Sequence, residues 1–164
     1  MIESVIFDLD GTLINLPINY EKLFEEFSKT MKTANVRPLT KIIPKLDEKT
    51  KKKLFEVWDK AELEALANIT VNDSGIALYK KFLDKPKVIV TMQGKALVQK
   101  VLESLDLSFN FVITREYCLD RAEQLKIAAE KLSTSVQNIL FIGNIDDDFL
   151  AAKTVGCQFL RVGK

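Results

Sequence analysis

The chain has 164 residues, of which 47% are apolar and 29% are charged, and its formal net charge is +1. This composition is typical of a globular domain, and a charge so close to neutral gives no indication of nucleic-acid binding. The chain contains no histidine, which excludes Ser-His-Asp and Cys-His catalysis as well as histidine-ligated zinc. Its chemistry must therefore use carboxylates, hydroxyls, lysine or arginine.

The sequence shows no sign of membrane insertion or export. No apolar run reaches the ~18 residues that span a bilayer, and no basic stretch followed by a long apolar segment opens the chain. Cys118 and Cys157 lack the spacing of a metal site, and we expect them to be reduced and buried. These features predict a cytoplasmic protein with no nucleic-acid or membrane partner.

The first predicted element is a strand in "SVIFDL", residues 4–9. Its unbroken apolar run is expected of a strand that is buried on both faces. No convincing strand follows for a long stretch, and two amphipathic helical patterns occupy residues 18–32 and 48–69 instead. The sequence therefore predicts a helical insertion over residues 15–72, directly after the first strand.

After the insertion, strand and helix patterns alternate to the end of the chain. The predicted strands are "KVIVTM" (87–92), "FNFVIT" (109–114), "NILFIG" (138–143) and "CQFLRV" (157–162), and the predicted helices lie at 74–83, 94–105, 120–132 and 146–155. This alternation is typical of βαβ units. We therefore expect an α/β fold with a Rossmann-like, doubly wound parallel sheet, formed by residues 1–14 and 73–164, and a small helical domain inserted after its first strand.

Polar side chains lie where the predicted strands end. They are Asp8 and Asp10 after the first strand, Thr91 after the second, Arg121 at the start of the helix that precedes the fourth, and Asn144 and Asp148 after the fourth. Ligands of open parallel sheets bind beyond the carboxyl ends of the strands. We therefore expect these side chains to surround one site.

The residue types at this edge indicate phosphoryl chemistry. Asp8 and Asp10 project to the same side of an extended chain, and Gly11 then allows a tight turn. Clustered carboxylates repel one another unless a divalent cation lies among them, and magnesium prefers such oxygen ligands. Arg121 and Thr91 would hold phosphate oxygens. A carboxylate beside a second carboxylate can also act as a nucleophile, through an aspartyl-phosphate.

The same residues resemble the motifs of the haloacid dehalogenase superfamily of phosphohydrolases. The family's first motif, D-x-D-G-T-L/V, is "DLDGTL" here, residues 8–13. The second is a Ser or Thr after an apolar strand, here Thr91, and the third is a Lys or Arg, here Arg121 in "LDRAEQL". The fourth, G-D-x-x-x-D leading into "AAxxxG", is "GNIDDDFLAAKTVG", residues 143–156. The motifs occur in the family's order and cover the whole chain.

The resemblance implies a role for each motif residue. Asp8 is expected to be the nucleophile and Asp10 the general acid and then the base, while Arg121 shields the nucleophile and the phosphate. Phosphate is expected to bind at Gly11, Thr12, Thr91, Met92 and Arg121, and Mg²⁺ at Asp8, Asp10, Asn144 and Asp148. The helical insertion resembles the family's C1-type cap, which closes over the site, excludes water and helps to select the substrate.

Asn144 departs from the family pattern, which usually has an aspartate there as a metal ligand. An asparagine keeps a carbonyl oxygen for the metal but removes one negative charge. Either Asp148 and Asp147 supply enough charge for an enzyme with weaker metal affinity, or the protein has drifted towards a binding role. We favour the first interpretation, because every other motif position is retained.

The third motif leaves a choice between two cations, Arg121 and Lys126. Lys126 would lie inside a predicted helix and close in the chain to Gly143, whereas Arg121 leaves room for a helix, a turn and a strand before that glycine. Arg121 is therefore preferred.

The expected function is that of a magnesium-dependent phosphatase that hydrolyses a small phosphorylated metabolite through an aspartyl-phosphate. The resemblance is closest to phosphoglycolate phosphatase-like and β-phosphoglucomutase-like members with a helical cap. A mutase of the same family is the nearest alternative, since it differs only in shielding the aspartyl-phosphate from water. A catalytically weakened binding or regulatory protein is the alternative that Asn144 suggests.

Overall fold

A computed structural model describes residues 1–163 of the protein as an α/β fold. Within these residues the strands are β1 (Ser4–Phe7), β2 (Ile14–Asn15), β3 (Thr70–Val71), β4 (Lys87–Val90), β5 (Phe111–Ile113), β6 (Ile139–Gly143) and β7 (Gln158–Arg161). Five of them form one sheet in the order β5-β4-β1-β6-β7, and every neighbouring pair is parallel. β1 is therefore central, and all four of its residues are buried. The predicted parallel sheet is confirmed.

Helices cover both faces of the sheet. The α-helices of the described residues are α1 (Tyr20–Met31), α2 (Leu39–Ile42), α3 (Glu48–Ala65), α4 (Asp73–Lys81), α5 (Lys95–Leu105), α6 (Arg121–Leu132) and α7 (Asp146–Val155). Short 3-10 turns occur at Ile43–Lys45, Leu66–Asn68 and Val136–Asn138. Val5 and Phe7 of β1 pack with α4 and α5, whereas Ile6 packs with α6 and α7. This division follows from the alternation of side chains along a strand, and it gives the doubly wound arrangement.

The start of α6 is set by a side-chain cap. Asp120 accepts a hydrogen bond of 3.0 Å from the backbone N–H of Glu123, so Arg121 occupies the first position of the helix. Because α6 begins at the carboxyl edge of the sheet, this cap holds Arg121 near the ends of β1 and β4.

The helices of the insertion lie between β2 and β3, which pair as a short antiparallel ribbon. Its helices α1 and α3 pack around an apolar cluster of their own that includes Phe27, Leu54 and Trp58. The rings of Phe27 and Trp58 meet edge to face, with centroids 5.6 Å apart. Met92 and Leu119, from outside the insertion, join this cluster and so bring the insertion against the carboxyl edge of the sheet.

Two expectations from the sequence are wrong in detail. We expected no strand in the insertion, but β3 lies there; a strand of two residues is too short to show an alternating pattern. Cys118 and Cys157 are half-buried rather than buried, and both are free thiols. No helix in the described part of the chain is long and apolar enough to cross a membrane.

Gly75, in the first turn of α4, contacts the loop that follows β1. A Cβ on Gly75 would stand 1.7 Å from the backbone oxygen of Thr12. Asn72, the cap of α4, also donates to the carbonyl of Gly11 at 3.3 Å, so the helix and the loop are tied together. We expect Gly75→Ala to cost about 2 kcal/mol or more of the free energy of unfolding, because backbone must move to admit the methyl group.

Thermal unfolding measures this loss. Gly163→Ala is the matched control, since a Cβ at Gly163 meets nothing within 4 Å, and its melting temperature should equal that of the parent. A Gly75→Ala variant as stable as this control would contradict the contact.

Candidate active site

Asp8 is the first residue after the central strand, and it is only 5% exposed. Its backbone N–H donates to the carbonyl of Ile142 in β6 at 3.0 Å, which continues the pairing of the two strands. Burial raises the pKa of Asp8 to about 7, although the nearby Arg121 guanidinium acts in the opposite direction, and the Asp148 carboxylate adds to the rise. A buried carboxylate with a raised pKa at this edge of a sheet marks a candidate functional group.

The Arg121 guanidinium joins three side chains. Nη2 lies 3.2 Å from Oδ1 of Asp8, Nε donates to Oδ1 of Asp148 at 3.0 Å, and Nη1 donates to Oε1 of Gln124 at 2.8 Å. Lys126, the other candidate cation, is engaged in an exposed ion pair on the surface of α6. Of the two, Arg121 is the one that the structure places on Asp8.

Asp148 is completely buried, and both of its carboxylate oxygens are occupied. Oδ1 accepts from Arg121, while Oδ2 accepts from the backbone N–H groups of Asn144 at 3.1 Å and Ile145 at 3.4 Å. A Cβ on Gly143 would stand 2.6 Å from Oδ2. Asp148 therefore fixes both the arginine and the turn that follows β6.

The loop after β1 brings Asn144 close to Gly11. Gly11 has φ of +82°, in the left-handed region, and a Cβ there would stand 2.1 Å from Nδ2 of Asn144. Glycine is required here because other residues rarely adopt this backbone conformation and because a side chain would clash with Asn144. Oδ1 of Asp10 accepts from the backbone N–H of Leu16 at 2.8 Å. Asp8, Asp10 and Asn144 are thus gathered at one edge of the sheet.

Thr91 is completely buried and directly follows β4, the neighbour of β1. Its hydroxyl donates to Oε1 of Gln93 and accepts from the Gln93 N–H at 3.1 Å. Met92 is the next residue and packs against the insertion. The hydroxyl of Thr12 is buried and has no hydrogen-bond partner among residues 1–163. Thr91 and Thr12 therefore lie in the segments that follow two neighbouring strands, β4 and β1.

Gln124 is a buried residue that the sequence did not single out. Its Oε1 accepts from Arg121, and its Nε2 donates to the backbone oxygens of Thr91 and Cys118, both at 2.9 Å. Its spacing of three residues from Arg121 on one helix was the only available signal. Gln124 joins the segment after β4 to the first turn of α6.

The insertion also contributes residues that no motif indicated. Glu62 of α3 and Arg115, just after β5, are both buried and pair at 2.8 Å. Partial burial, followed by the negative charges of Asp10 and Glu62, raises the pKa of Tyr20 to about 12, although 41% of the residue is exposed. The start of α1 therefore lies within electrostatic reach of the strand-end carboxylates.

Oxygen donors for a hard cation are present at this edge, but they carry little charge. The Asp8 carboxylate, the Asp10 carbonyl and the Asn144 amide oxygen are of the type that Mg²⁺ takes. Asp148 differs, because its oxygens already serve Arg121 and two backbone amides. Over residues 1–163, no group of three or more His, Cys, Asp or Glu side chains could hold a metal ion. The donor set is therefore of a type that would fit Mg²⁺, with Asp8, Asp10 and Asn144 as the residues that would hold it.

Known proteins resemble this chain in sequence and in fold. The chain is 28% identical over 177 residues to a candidate pyrophosphatase of Clostridium perfringens, PpaX, a match that covers 96% of this chain and 82% of that one. It is 26% identical over an alignment of 190 residues to a phosphoglycolate phosphatase of Neisseria gonorrhoeae, covering 99% and 79%. The crystal structure of CbbY from Rhodobacter sphaeroides in complex with phosphate has the same fold, with a TM-score of 0.69 at 13% identity, covering 100% and 87%.

A family model also matches the chain. The model of haloacid dehalogenase-like hydrolases matches residues 5–162, which is nearly the whole chain and includes every strand-end residue described above. The parallel sheet, with the acidic loop after its central strand, agrees with that match. The chain therefore belongs to the haloacid dehalogenase-like hydrolase family.

Proposed function

We propose that the protein is a magnesium-dependent phosphatase that hydrolyses a small phosphorylated metabolite. The observation that carries the proposal is the contact between the buried Asp8 carboxylate and the Arg121 guanidinium at the carboxyl edge of the sheet. Transfer of a phosphoryl group needs a nucleophile in line with the phosphorus and cations around the equatorial oxygens. Phosphatase names among the relatives support the same reaction class.

The proposed reaction has two steps. Asp8 attacks the phosphorus, the bond to the leaving oxygen breaks, and Asp10 gives that oxygen a proton. Asp10 then accepts a proton from a water molecule, whose oxygen attacks the phosphorus. The bond between phosphorus and Asp8 breaks, which releases inorganic phosphate and restores the Asp8 carboxylate. The hydrogen bond from Leu16 N–H to Asp10 supports this role, because it holds the carboxyl group in place at 2.8 Å.

Phosphate oxygens would bind to the Arg121 guanidinium, the Thr91 hydroxyl, and the loop that contains Gly11 and Thr12. The partnerless Thr12 hydroxyl supports this assignment, because a buried donor without an acceptor is costly. Mg²⁺, held by Asp8, Asp10 and Asn144, would neutralise phosphate charge.

For Asp148, predicted above as a metal ligand, we propose the role of orienting Arg121 instead. Its two oxygens already serve Arg121 and the backbone amides after β6.

We further propose that residues 15–72 act as a cap and that residues 1–14 and 73–164 form the core domain. A separate apolar cluster within the insertion and its short connecting ribbon support this division. The contact of Met92 with the insertion supports a cap that reaches the strand edge and limits the access of water.

Phosphate release tests the proposal. p-Nitrophenyl phosphate and a panel of sugar phosphates and short-acid phosphates, including phosphoglycolate, are incubated with Mg²⁺ or with a chelator. Release that depends on the metal and is absent in Asp8→Asn is the expected result. No release above the Asp8→Asn background at saturating Mg²⁺ would contradict a phosphatase. Transfer of the phosphoryl group to a second sugar hydroxyl would favour the mutase.

Asn144 motivates the alternative of a weakened binding protein, and Asn144→Asp separates it from an active enzyme. In an active enzyme, the added charge beside Asp8 should lower the Mg²⁺ concentration for half-maximal activity by about tenfold, with kcat changed much less. Titration of activity with Mg²⁺ measures this, and the exposed Asn35→Asp serves as the control. A parent without activity that gains turnover through Asn144→Asp would favour the weakened protein.

The hydrogen bonds of Gln124 lead to a further prediction. Gln124→Leu keeps the volume but frees Nη1 of Arg121 and leaves the carbonyls of Thr91 and Cys118 without their donor. We expect kcat to fall by about tenfold or more, since a guanidinium displaced from the phosphate stabilises the transition state poorly. Steady-state kinetics measures the change, with the exposed Gln99→Leu as the control. An unchanged kcat in a folded Gln124→Leu variant would show that Arg121 needs no such support.

A further inference from the structure

Glu62 connects the insertion to the segment that follows β4. It lies on α3 and is completely buried. Its Oε1 accepts from the backbone N–H of Gly94 at 3.0 Å, and its Oε2 accepts from Nη1 of Arg115 at 2.8 Å. One carboxylate of the insertion therefore binds both a loop of the core and a buried core cation.

Arg115 holds the same loop from the other side. Nη1 also donates to the backbone oxygen of Met92 at 3.2 Å, and the Arg115 N–H donates to the backbone oxygen of Gln93 at 3.2 Å. The N–H of Gly94 donates to Glu62 as well, so Glu62 and Arg115 together bond the backbone of the three residues that follow Thr91. Residues 91–94 are here named the phosphate loop, and Glu62 and Arg115 thus hold the backbone of its last three residues.

The contact is close-packed. The Arg115 guanidinium lies 4.2 Å from the centroid of the Trp58 ring. A Cβ on Gly94 would stand 2.3 Å from Oδ1 of Asp59 and 2.7 Å from Nη2 of Arg115, so both side chains pack directly against this glycine. Burial raises the pKa of Glu62, although its hydrogen bond with Arg115 and the charge of that guanidinium oppose this. Apolar residues would fill this space at a lower cost in desolvation, so the ionic pair favours a geometric role over a purely packing one.

We propose that Glu62 is a positioning residue for the phosphate loop, and that Arg115 transmits its position to Met92 and Gln93. The inference rests on the proposed phosphatase function, in which this loop presents the Thr91 hydroxyl and Met92 to the phosphate. Glu62 belongs to the insertion and the loop to the core, so the loop has its full set of bonds only when the two are in contact. Docking of the insertion and binding of phosphate therefore favour each other.

Asp59 provides a matched control on the same helix. It pairs with Nη2 of Arg115, but its side chain is 32% exposed and no hydrogen bond joins it to the phosphate loop. Glu62→Gln removes the charge and keeps one acceptor, and Glu62→Leu removes both acceptors. Asp59→Asn makes the same chemical change as Glu62→Gln at a carboxylate that packs against Gly94 and pairs with Arg115 but makes no hydrogen bond to the loop backbone.

The experiment measures the affinity for inorganic phosphate by calorimetry in the presence of Mg²⁺, together with kcat and KM on the best ester of the panel. Glu62→Leu is expected to weaken phosphate binding by about tenfold or more and to lower kcat. Glu62→Gln is expected to recover part of the loss, and Asp59→Asn to remain within about twofold of the parent. If Glu62→Leu does not fold, the phosphate affinity and kcat of Glu62→Gln are compared with those of Asp59→Asn instead.

The outcomes separate this inference from the proposed function. If the parent hydrolyses no ester but Glu62→Gln weakens phosphate binding and Asp59→Asn does not, the positioning role stands without the hydrolysis. If the parent is active and Glu62→Gln keeps both its kcat and its phosphate affinity, the positioning role is wrong and the pair is only structural. Equal losses in Glu62→Gln and Asp59→Asn would overturn it as well, and a parent that neither binds phosphate nor hydrolyses any ester would overturn both proposals.

Discussion

The Asp8→Asn variant is expected to release no phosphate above background from any ester that the parent hydrolyses. An amide is a very poor nucleophile and forms no aspartyl-phosphate. Removing the nucleophile of a covalent mechanism lowers kcat by roughly 10⁴-fold or more. Initial rates at saturating Mg²⁺ measure the loss. A variant that keeps more than a few per cent of the parental rate would show that another group attacks the phosphorus.

The same substitution is expected to stabilise the metal-free protein at alkaline pH. Burial raises the pKa of Asp8 from 3.8 to about 7, so the ionised carboxylate is disfavoured in the folded state. The unfolded chain loses this proton near the lower value and the folded protein near the higher one. Stability is therefore lost as the pH rises from about 4 to about 7, and the deficit is complete above that range. Asparagine carries no charge, so the Asp8→Asn variant does not lose stability through ionisation at this position.

Thermal unfolding in the presence of a chelator tests whether Asp8 lowers the stability of the folded protein as the pH rises. The Asp8→Asn variant and the parent should melt at the same temperature at pH 4, and the variant should melt about 2 °C or more higher at pH 8. Asp147→Asn changes the same group at an exposed position and is the matched control. A variant that is less stable than the parent at pH 8 would mean that the ion pair with Arg121 outweighs the burial of Asp8.

The parallel sheet was predictable because strands that are buried on both faces leave continuous apolar runs. β1 and β4 are buried at every residue, and their runs "SVIF" and "KVIV" stand out in the sequence. Parallel strands end at a common edge, so the polar residues after those runs were expected to meet. The structure brings Asp8, Arg121 and Asp148 into direct contact, while their catalytic roles stay predictions.

The residues that support this edge could not be predicted, because their partners are distant in the chain. Glu62 and Arg115 are 53 residues apart, and no pattern along α3 identifies the cation that meets this carboxylate. The sequence gives only one indication of this pair, which is a glutamate four residues after Trp58, within the apolar face of the helix. The β2–β3 ribbon escaped prediction for a different reason, since two residues are too few to show a period.

Arg115→Met is expected to cost about 3–5 kcal/mol of the free energy of unfolding, the typical effect of removing one partner of a buried ion pair. Methionine retains much of the volume and the contact with Trp58. It leaves Glu62 buried with the N–H of Gly94 as its remaining donor, and it leaves the Met92 carbonyl without Nη1. Urea unfolding measures the loss through the shift of the midpoint at an unchanged slope.

Two further variants distinguish the effect of leaving the Glu62 carboxylate unpaired from the effect of losing the packing of Arg115 on Trp58. Arg37 also stacks on an aromatic ring, 3.9 Å from the Phe24 centroid, but at an exposed position, so Arg37→Met should cost less than about 1 kcal/mol. Adding Glu62→Gln to Arg115→Met removes the unpaired carboxylate, and the double variant should be more stable than Arg115→Met alone. If it is no more stable, the loss comes from packing around Trp58, and the buried pair contributes nothing through its charge.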